Sequence, residues 1–311
     1  MEKIKGMTFG YWSAPEVLLS SSAKNSLNEL KNNGTKWIAL AFPALQESTR
    51  TTRIFMDYSL CSTDYDIIST IKYAHDIGMK VCLKPVLDIA SGEWRAEINL
   101  SPNEWKVWFG NYKQFLSHYL KIAERYSCEM FCIGCEMLSS EEYESEWLEI
   151  IQEARKLYKG YLIYNANFDC DYYPDWIRNL DFYGISAYFP LDVENDDEIE
   201  LYQDSWNAHK KHLLDIYNAY NLPIIFMEIG CKSEDDAMKH PWDYSTNELV
   251  NHDVQMKFYE SAFRTFWLEE WFQGFFWWEW KSILYSKEKA IHDTSYCAYG
   301  KKAELVLKKW Y

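Results

Sequence analysis

Short apolar runs alternate with longer segments of helical periodicity along almost the whole chain. Eight of these runs are rich in β-branched or aromatic residues, which is typical of buried strands. The segments between them repeat their apolar positions with the period of an amphipathic helix. The pattern therefore predicts parallel strands joined by helices, with the strands at residues 7–12, 36–42, 80–88, 130–136, 161–168, 181–190, 223–230 and 274–280.

Local signals mark the ends of several predicted helices. A Ser or Thr followed three residues later by an acidic residue indicates a helix start, as in Thr63 with Asp66, Ser101 with Glu104, and Ser245 with Glu248. Gly34 and Gly78 directly precede the second and third strands and indicate helix ends. The glycine-rich phosphate turn of an open doubly wound sheet is missing. We therefore expect an α/β fold, one (β/α)8 barrel covering residues 1–311.

Charge and cysteine usage narrow the class of protein. The formal net charge of -15 disfavours nucleic acid and anionic membranes as partners, and no apolar stretch is long enough to span a bilayer. The first residues show no export signal, and the eight cysteines are scattered as they are in reduced proteins. The sequence predicts a soluble, cytoplasmic protein, and it leaves the oligomeric state open.

Aromatic residues make up 18% of the chain and include 15 Trp. A tryptophan-rich core would account for this content. The alternative is a carbohydrate cleft, because flat indole faces match the apolar faces of pyranose rings.

Two predicted strands end in a glutamate. Glu136 closes the fourth strand and Glu228 lies near the end of the seventh. In a barrel both side chains would reach the C-terminal mouth, where they could flank a glycosidic bond. Salt bridges at the barrel rim would explain either glutamate alone, but the pair favours catalysis.

Several short stretches, taken in order, resemble glycoside hydrolase family 113, a family of endo-β-1,4-mannanase-like barrels. These are Leu83-Lys84-Pro85, Gly92-Glu93-Trp94-Arg95, Ile133-Gly134-Cys135-Glu136, Asn165-Ala166-Asn167, residues 183–190, Met227-Glu228-Ile229-Gly230, Pro241-Trp242 and Trp277-Trp278-Glu279-Trp280. The resemblance covers nearly the whole chain. It implies a retaining hydrolase of mannan or manno-oligosaccharides that needs no cofactor or metal, with Glu136 as acid/base and Glu228 as nucleophile.

Two positions near the predicted site are informative. Cys135 stands where most of the wider clan has Asn, a feature shared with family 113. Val86 stands where the family typically has His, which weakens the expectation of a mannan preference. Hydrolysis of gluco- or xylo-oligosaccharides, and a non-catalytic carbohydrate-binding barrel, therefore remain alternatives.

Strand position and the resemblance together assign the remaining site residues. Tyr188 is expected to donate its hydroxyl to Glu228, and Trp278 to form the floor beneath the sugar that is cleaved. Further candidate sugar contacts are Trp12, Lys84, Trp94, Arg95 and Asn167. Cys132 and Cys135 have the spacing of a metal or redox motif, but strand alternation predicts that they point to opposite faces.

Overall fold

A computed structural model describes residues 2–169, 174–245 and 248–311. Eight parallel strands close into a barrel, because β1 pairs with both β2 and β9. The strands are β1 (Ile4–Phe9), β2 (Trp37–Gln46), β4 (Lys80–Ile89), β5 (Met130–Cys135), β6 (Tyr161–Asn167), β7 (Phe182–Ser186), β8 (Ile224–Ile229) and β9 (Phe272–Trp280). The short β3 (Ile54–Phe55) pairs antiparallel with the end of β2 outside the barrel. The predicted (β/α)8 barrel is confirmed.

The helices surround the barrel. They are α1 (Ser21–Asn32), α2 (Asp64–Asp76), α3 (Pro102–Arg125), α4 (Glu144–Leu157), α5 (Ile199–Tyr220), α6 (His252–Phe266), α7 (Lys287–Ala290) and α8 (Lys302–Trp310). Between β6 and β7 the described residues form only a 3-10 turn, Asp175–Asn179. None of the helices in the described part of the chain is long and apolar enough to cross a membrane.

Most of the predicted helix ends are confirmed. Thr63 and Ser101 each form a capping box, with Asp66 and Glu104 respectively. The prediction that a helix starts at Ser245 is wrong, because α6 begins at His252. The Asn251 side chain caps this helix by accepting hydrogen bonds from two backbone amides. Ser245 instead donates its hydroxyl to Asp243, 2.6 Å away, in a turn at the barrel mouth.

One extra residue interrupts β5 and another interrupts β8. Cys132 and Cys135 pair with Ile163 and Asn165 of β6, so three steps on β5 oppose two on its neighbour. On β8, Phe226 and Glu228 pair with consecutive residues of β7. Such bulges change which face of the sheet the following side chains occupy.

The bulge in β5 overturns the expectation for the two cysteines. Cys132 belongs to the apolar cluster inside the barrel, and Cys135 also points inward, with its thiol 3.5 Å from Glu228 Oε1. Strict alternation would have turned Cys135 toward the helices, so the predicted opposite orientation is wrong. The seven cysteines that the structure describes are buried free thiols.

The tryptophans are divided between the core and the surface. Trp108, Trp147, Trp176, Trp206, Trp277 and Trp280 are all less than 2% exposed and pack between strands and helices. Trp12, Trp94 and Trp242 are each more than 40% exposed. A tryptophan-rich core therefore accounts for much of the aromatic content, and the exposed indoles need a separate explanation.

Candidate active site

Glu228 lies at the barrel mouth at the centre of a hydrogen-bond network. Lys84 of β4, whose side chain is fully buried, donates its ammonium to Oε1. Asn165 of β6 donates its amide to the same oxygen at 3.1 Å. The Tyr188 hydroxyl donates to Oε2 at 3.0 Å, as expected from its position after the sixth predicted strand. Every one of these donors stabilises the ionised form of the carboxylate.

The pKa of Glu228 follows from two opposing influences. Burial alone would raise it, but the ammonium of Lys84, with help from Arg95 and Tyr188, holds the pKa of Glu228 below its ordinary value. The Lys84 pKa is raised in turn, because the attraction of Glu228 outweighs the effect of burial. Glu228 is therefore an anion at neutral pH.

Glu136 directly follows β5 and has a left-handed backbone conformation, with φ at 52°. Its amide donates to the carbonyl of Asn165 at 2.8 Å, which ties this turn to β6. Arg95 donates Nη1 to Glu136 Oε2 at 2.9 Å, and the Ser186 hydroxyl is a further hydrogen-bond partner. Burial and the negative charge of Glu228 nevertheless raise the pKa of Glu136.

The two carboxyl groups are close together. An oxygen of Glu136 and an oxygen of Glu228 lie within 4.8 Å of each other. Retaining glycosidases hold their carboxyls about 5 Å apart, whereas inverting enzymes separate them by roughly 6.5 to 9.5 Å to admit a water. The separation and the opposite pKa shifts fit an acid and a nucleophile on either side of one bond.

A cleft of about 720 Å3 opens over this pair. Its walls combine aromatic rings with a few polar groups, an arrangement suited to sugars. The lining residues are Tyr11, Val86, Trp94, Arg95, Glu136, Asn167, Phe168, Asp169, Tyr188, Glu228, Trp242, Asp243, Tyr244, Ser245, Trp278 and Tyr296. Two other tryptophans of β9 are held away from the cleft: the ring centroids of Trp277 and Tyr259 are 3.7 Å apart in a stacked pair, and Trp280 donates a hydrogen bond to Ser26. Of the three tryptophans on β9, only Trp278 lines the cleft.

The structure brings together most of the predicted site residues. Trp94, Arg95, Asn167, Tyr188 and Trp278 line the cleft with the two glutamates. Lys84 lies beneath the cleft, where it contacts Glu228 and is shielded from a sugar. Trp12 is 48% exposed beside Tyr11 and is not part of the lining.

Sequence reasoning missed four polar groups of the site. Asn165 and Ser186 touch the carboxyl pair directly, and Asp88 and Tyr11 reach it through Arg95. Asn165 and Asn167 are two apart on β6, so strand alternation could have placed both at the mouth. Asp88 ends the third predicted strand, so the rule that selected the two glutamates could have placed it at the mouth too, whereas no comparable signal marks Tyr11.

Cys135, Glu136 and Glu228 are close enough together to be considered as metal ligands. The electrostatics argue against a cation there, because Lys84 and Arg95 already pair with the two carboxyl groups. Burial also raises the pKa of Cys135 well above its ordinary value, which keeps it from the thiolate form that binds metals.

A (β/α)8 barrel with this carboxyl pair in an aromatic cleft has the architecture of a glycoside hydrolase. Residues 7–301 match the family model of Glycoside Hydrolase Family 113. The chain belongs to that family.

Solved structures agree with the family match. The GH113 β-mannanase AaManA from Alicyclobacillus acidocaldarius, in complex with ManMIm, is 36% identical, with a TM-score of 0.91 over 99% of this chain and 97% of that one. A GH113 β-1,4-mannanase is 32% identical, with a TM-score of 0.92 over 100% and 99%. A β-glucuronidase from Ruminococcus gnavus, at 13% identity and a TM-score of 0.67, shares the fold, and this chain covers half of it. No curated protein matches the sequence.

Proposed function

We propose that this protein hydrolyses β-1,4-linked mannan or manno-oligosaccharides with retention of configuration, with Glu136 as general acid/base and Glu228 as nucleophile. The observation that carries the assignment is the opposite electrostatic environment of two carboxyls within 4.8 Å of each other. Glu136 has a raised pKa and Glu228 a lowered one. In a pair of this kind, the group that keeps its proton is the acid and the ionised group is the nucleophile.

In the first step, the Glu228 carboxylate attacks the anomeric carbon and Glu136 protonates the departing oxygen. Lys84 and Asn165 both bind Oε1 of Glu228, whereas Tyr188 binds Oε2. These contacts fix the orientation of the carboxylate before the sugar arrives, which reduces the reorganisation needed in the transition state. The product is a covalent glycosyl-enzyme ester.

In the second step, water replaces the enzyme at the anomeric carbon. The negative charge of Glu228 disappears once the ester has formed, and with it a main cause of the raised pKa of Glu136. Glu136, which gave its proton to the departing oxygen in the first step, therefore stays ionised until it removes a proton from the attacking water. One residue thus acts first as an acid and then as a base.

The proposal of a mannose-containing substrate is supported by the two GH113 mannanases, which align with nearly the whole chain. The exposed indoles of Trp94 and Trp242 give the cleft sugar-stacking surfaces. Val86, an apolar residue in the cleft wall, stands where the family typically has His. The sugar preference therefore has to be tested by direct comparison of substrates.

The substrate test compares mannohexaose, xylohexaose and cellohexaose under identical conditions, with release of reducing ends as the readout. We expect cleavage of mannohexaose to be fastest. Preferential cleavage of either other sugar would reassign the substrate, and binding without cleavage of any of them would indicate a non-catalytic barrel.

The roles of the two glutamates can be separated with azide and an activated aryl β-mannoside. In Glu228→Ala, azide should occupy the space of the lost carboxylate and give an α-glycosyl azide. In Glu136→Ala, azide should intercept the glycosyl-enzyme and give a β-glycosyl azide. NMR of the adducts distinguishes the anomers, and swapped configurations would reverse the assignment.

We also propose a cytoplasmic location. It is supported by the seven buried free thiols, which suit a reducing compartment. Fractionation of the source cells with activity measured in each fraction tests this, and activity in the medium would contradict it.

A further inference from the structure

Arg95 presents an electrostatic problem for the proposed mechanism. Its guanidinium donates to Glu136 at 2.9 Å, and a cation at this distance favours loss of the proton that a general acid must hold. The same guanidinium donates Nη2 to Asp88 Oδ1 and Nε to the carbonyl of Leu87 at 2.7 Å. Tyr11 donates its hydroxyl to the other oxygen of Asp88. Arg95 therefore bridges Glu136 through Nη1 and Asp88 through Nη2.

We propose that Asp88 is a positioning residue for the acid/base: it fixes Arg95 against Glu136 and neutralises its charge, so that Glu136 can hold a proton beside a cation. The inference rests on the function proposed above and concerns the same site. Its basis is the network Tyr11–Asp88–Arg95–Glu136, in which the side chains of Asp88, Arg95 and Glu136 are no more than 15% exposed.

The charges of the buried groups support this role. With Glu136 protonated, Lys84 is balanced by Glu228 and Arg95 by Asp88, so the five side chains are neutral as a group. Once Glu228 is esterified, one negative charge is lost and the group is neutral only with Glu136 ionised. Because net charge is costly at a buried site, the network favours the acid form first and the base form second. Asp88 completes the balance in both states.

Other titratable groups face Glu136 as well. Burial raises the pKa of each of them, so they stay neutral near pH 7 and do not change the charge count; they are Cys135 on β5, Tyr188 after β7 and Tyr244 at the cleft rim. Tyr11, which faces Arg95, is neutral for the same reason. Among the described residues, the charged groups that act on Glu136 most strongly are Glu228, Arg95 and Lys84, with Asp88 acting through Arg95. Glu279 on β9, whose pKa burial raises to about 7, interacts with Glu228.

The test is Asp88→Asn, which keeps an oxygen for Arg95 and removes the charge. Asn leaves Glu136 beside an unbalanced cation, so the basic limb of the pH profile of kcat/KM should move to lower pH. For mannohexaose at pH 7, kcat/KM should fall by at least about tenfold, because this leaving group needs the acid. For an aryl β-mannoside with a good leaving group, kcat/KM should fall less than about threefold, because the aryl group departs without a proton.

A second variant guards against simple misfolding. Asp88→Asn with Arg95→Met removes one charge of each sign, so the basic limb should return toward its wild-type position even if overall activity is lower. The matched control is Asp181→Asn, since Asp181 pairs with Arg155 at 2.8 Å just before β7, at the end of the barrel away from the cleft. Its basic limb should stay in place.

The outcomes are distinguishable. A basic limb that stays fixed or moves to higher pH in Asp88→Asn would overturn the inference, as would equal losses on both substrates, which are expected if Asp88 only keeps Arg95 in place. Failure of the wild-type protein to cleave any oligosaccharide would instead refute the proposed function.

Discussion

Replacement of Lys84 by Met tests the most buried charge contact of the site. Met has similar length and volume, so the change removes the ammonium with little effect on packing. Removal of one partner of a buried ion pair costs about 3 to 5 kcal/mol. Glu228 keeps its bonds from Asn165 and Tyr188 and can take up a proton, so we expect the free energy of unfolding at pH 7 to fall by about 3 kcal/mol, the lower end of this range.

The loss of stability should depend on pH. The pKa of Glu228 lies below its ordinary value of 4.5 in the folded protein, so ionised Glu228 stabilises the fold above that pH and the contribution disappears as pH falls. Lys84 has a pKa raised above its ordinary value of 10.5, so its contribution is complete below that pH and is lost as pH rises through the folded value. The difference between wild type and Lys84→Met should therefore be largest between these limits and shrink below about pH 4.5.

The assays are urea unfolding at pH 7 and at pH 4, and the pH profile of kcat/KM. Without the ammonium, Glu228 ionises less readily, so the acidic limb should move to higher pH. Lys301→Met is the matched control, because the Lys301 side chain is also fully buried and pairs with Asp293 at 2.6 Å, but Lys301 does not line the cleft. It should destabilise the protein without moving the acidic limb. A stability loss in Lys84→Met below about 1 kcal/mol, or an unmoved limb, would refute the reasoning.

Three further expectations concern the cleft. Activity should follow a bell-shaped curve against pH, with the acidic limb set by Glu228 and the basic limb by Glu136. Burial raises the pKa of Glu279, which interacts with Glu228, to about 7, so Glu279 could also produce a basic limb. Glu279→Gln is therefore the control, and the basic limb should stay in place if Glu136 sets it. Tyr188→Phe removes a hydroxyl donor 3.0 Å from Glu228 and should lower kcat/KM roughly tenfold with the acidic limb moved to higher pH; an unchanged profile would contradict a role for that bond. Trp242→Ala removes an indole that is 43% exposed and stacks on Phe168, so KM for mannohexaose should rise with little change in melting temperature, whereas an unchanged KM would show that no sugar binds there.

Much of the barrel was predictable from the sequence, because each strand is a compact apolar run. The boundary errors run in both directions, because β1 begins at Ile4 and β2 extends to Gln46, outside the predicted bounds, whereas β7 is shorter than predicted. The prediction for β7 extends to residue 190, but the strand ends at Ser186, and buried Ala187, Tyr188 and Phe189 continue as a loop over the barrel mouth. The two-residue β3 is too short to produce a periodic signal.

The candidate site was predictable in so far as it lies at strand ends. Glu136 and Glu228 stand out because they are acidic residues in apolar surroundings. The contacts of Asp88 and Tyr11 with the site were not predictable, since they depend on Arg95 folding back from its turn to meet these two residues. The inward orientation of Cys135 depends on an added residue in β5 that alternation cannot reveal.

That added residue has a consequence for redesign of the protein. A Cβ on Gly134, within the bulge, would lie 2.7 Å from the ring of Tyr164. The Tyr164 hydroxyl accepts a hydrogen bond from the amide of Met137, the residue after Glu136, and the Tyr164 ring packs beside Trp147 and Trp176 in the outer layer. The placement of the Glu136 carboxyl therefore depends partly on side chains of the helical shell. Exchange of these aromatic residues to gain thermal tolerance is therefore expected to change the orientation of Glu136, the proposed proton donor, as well.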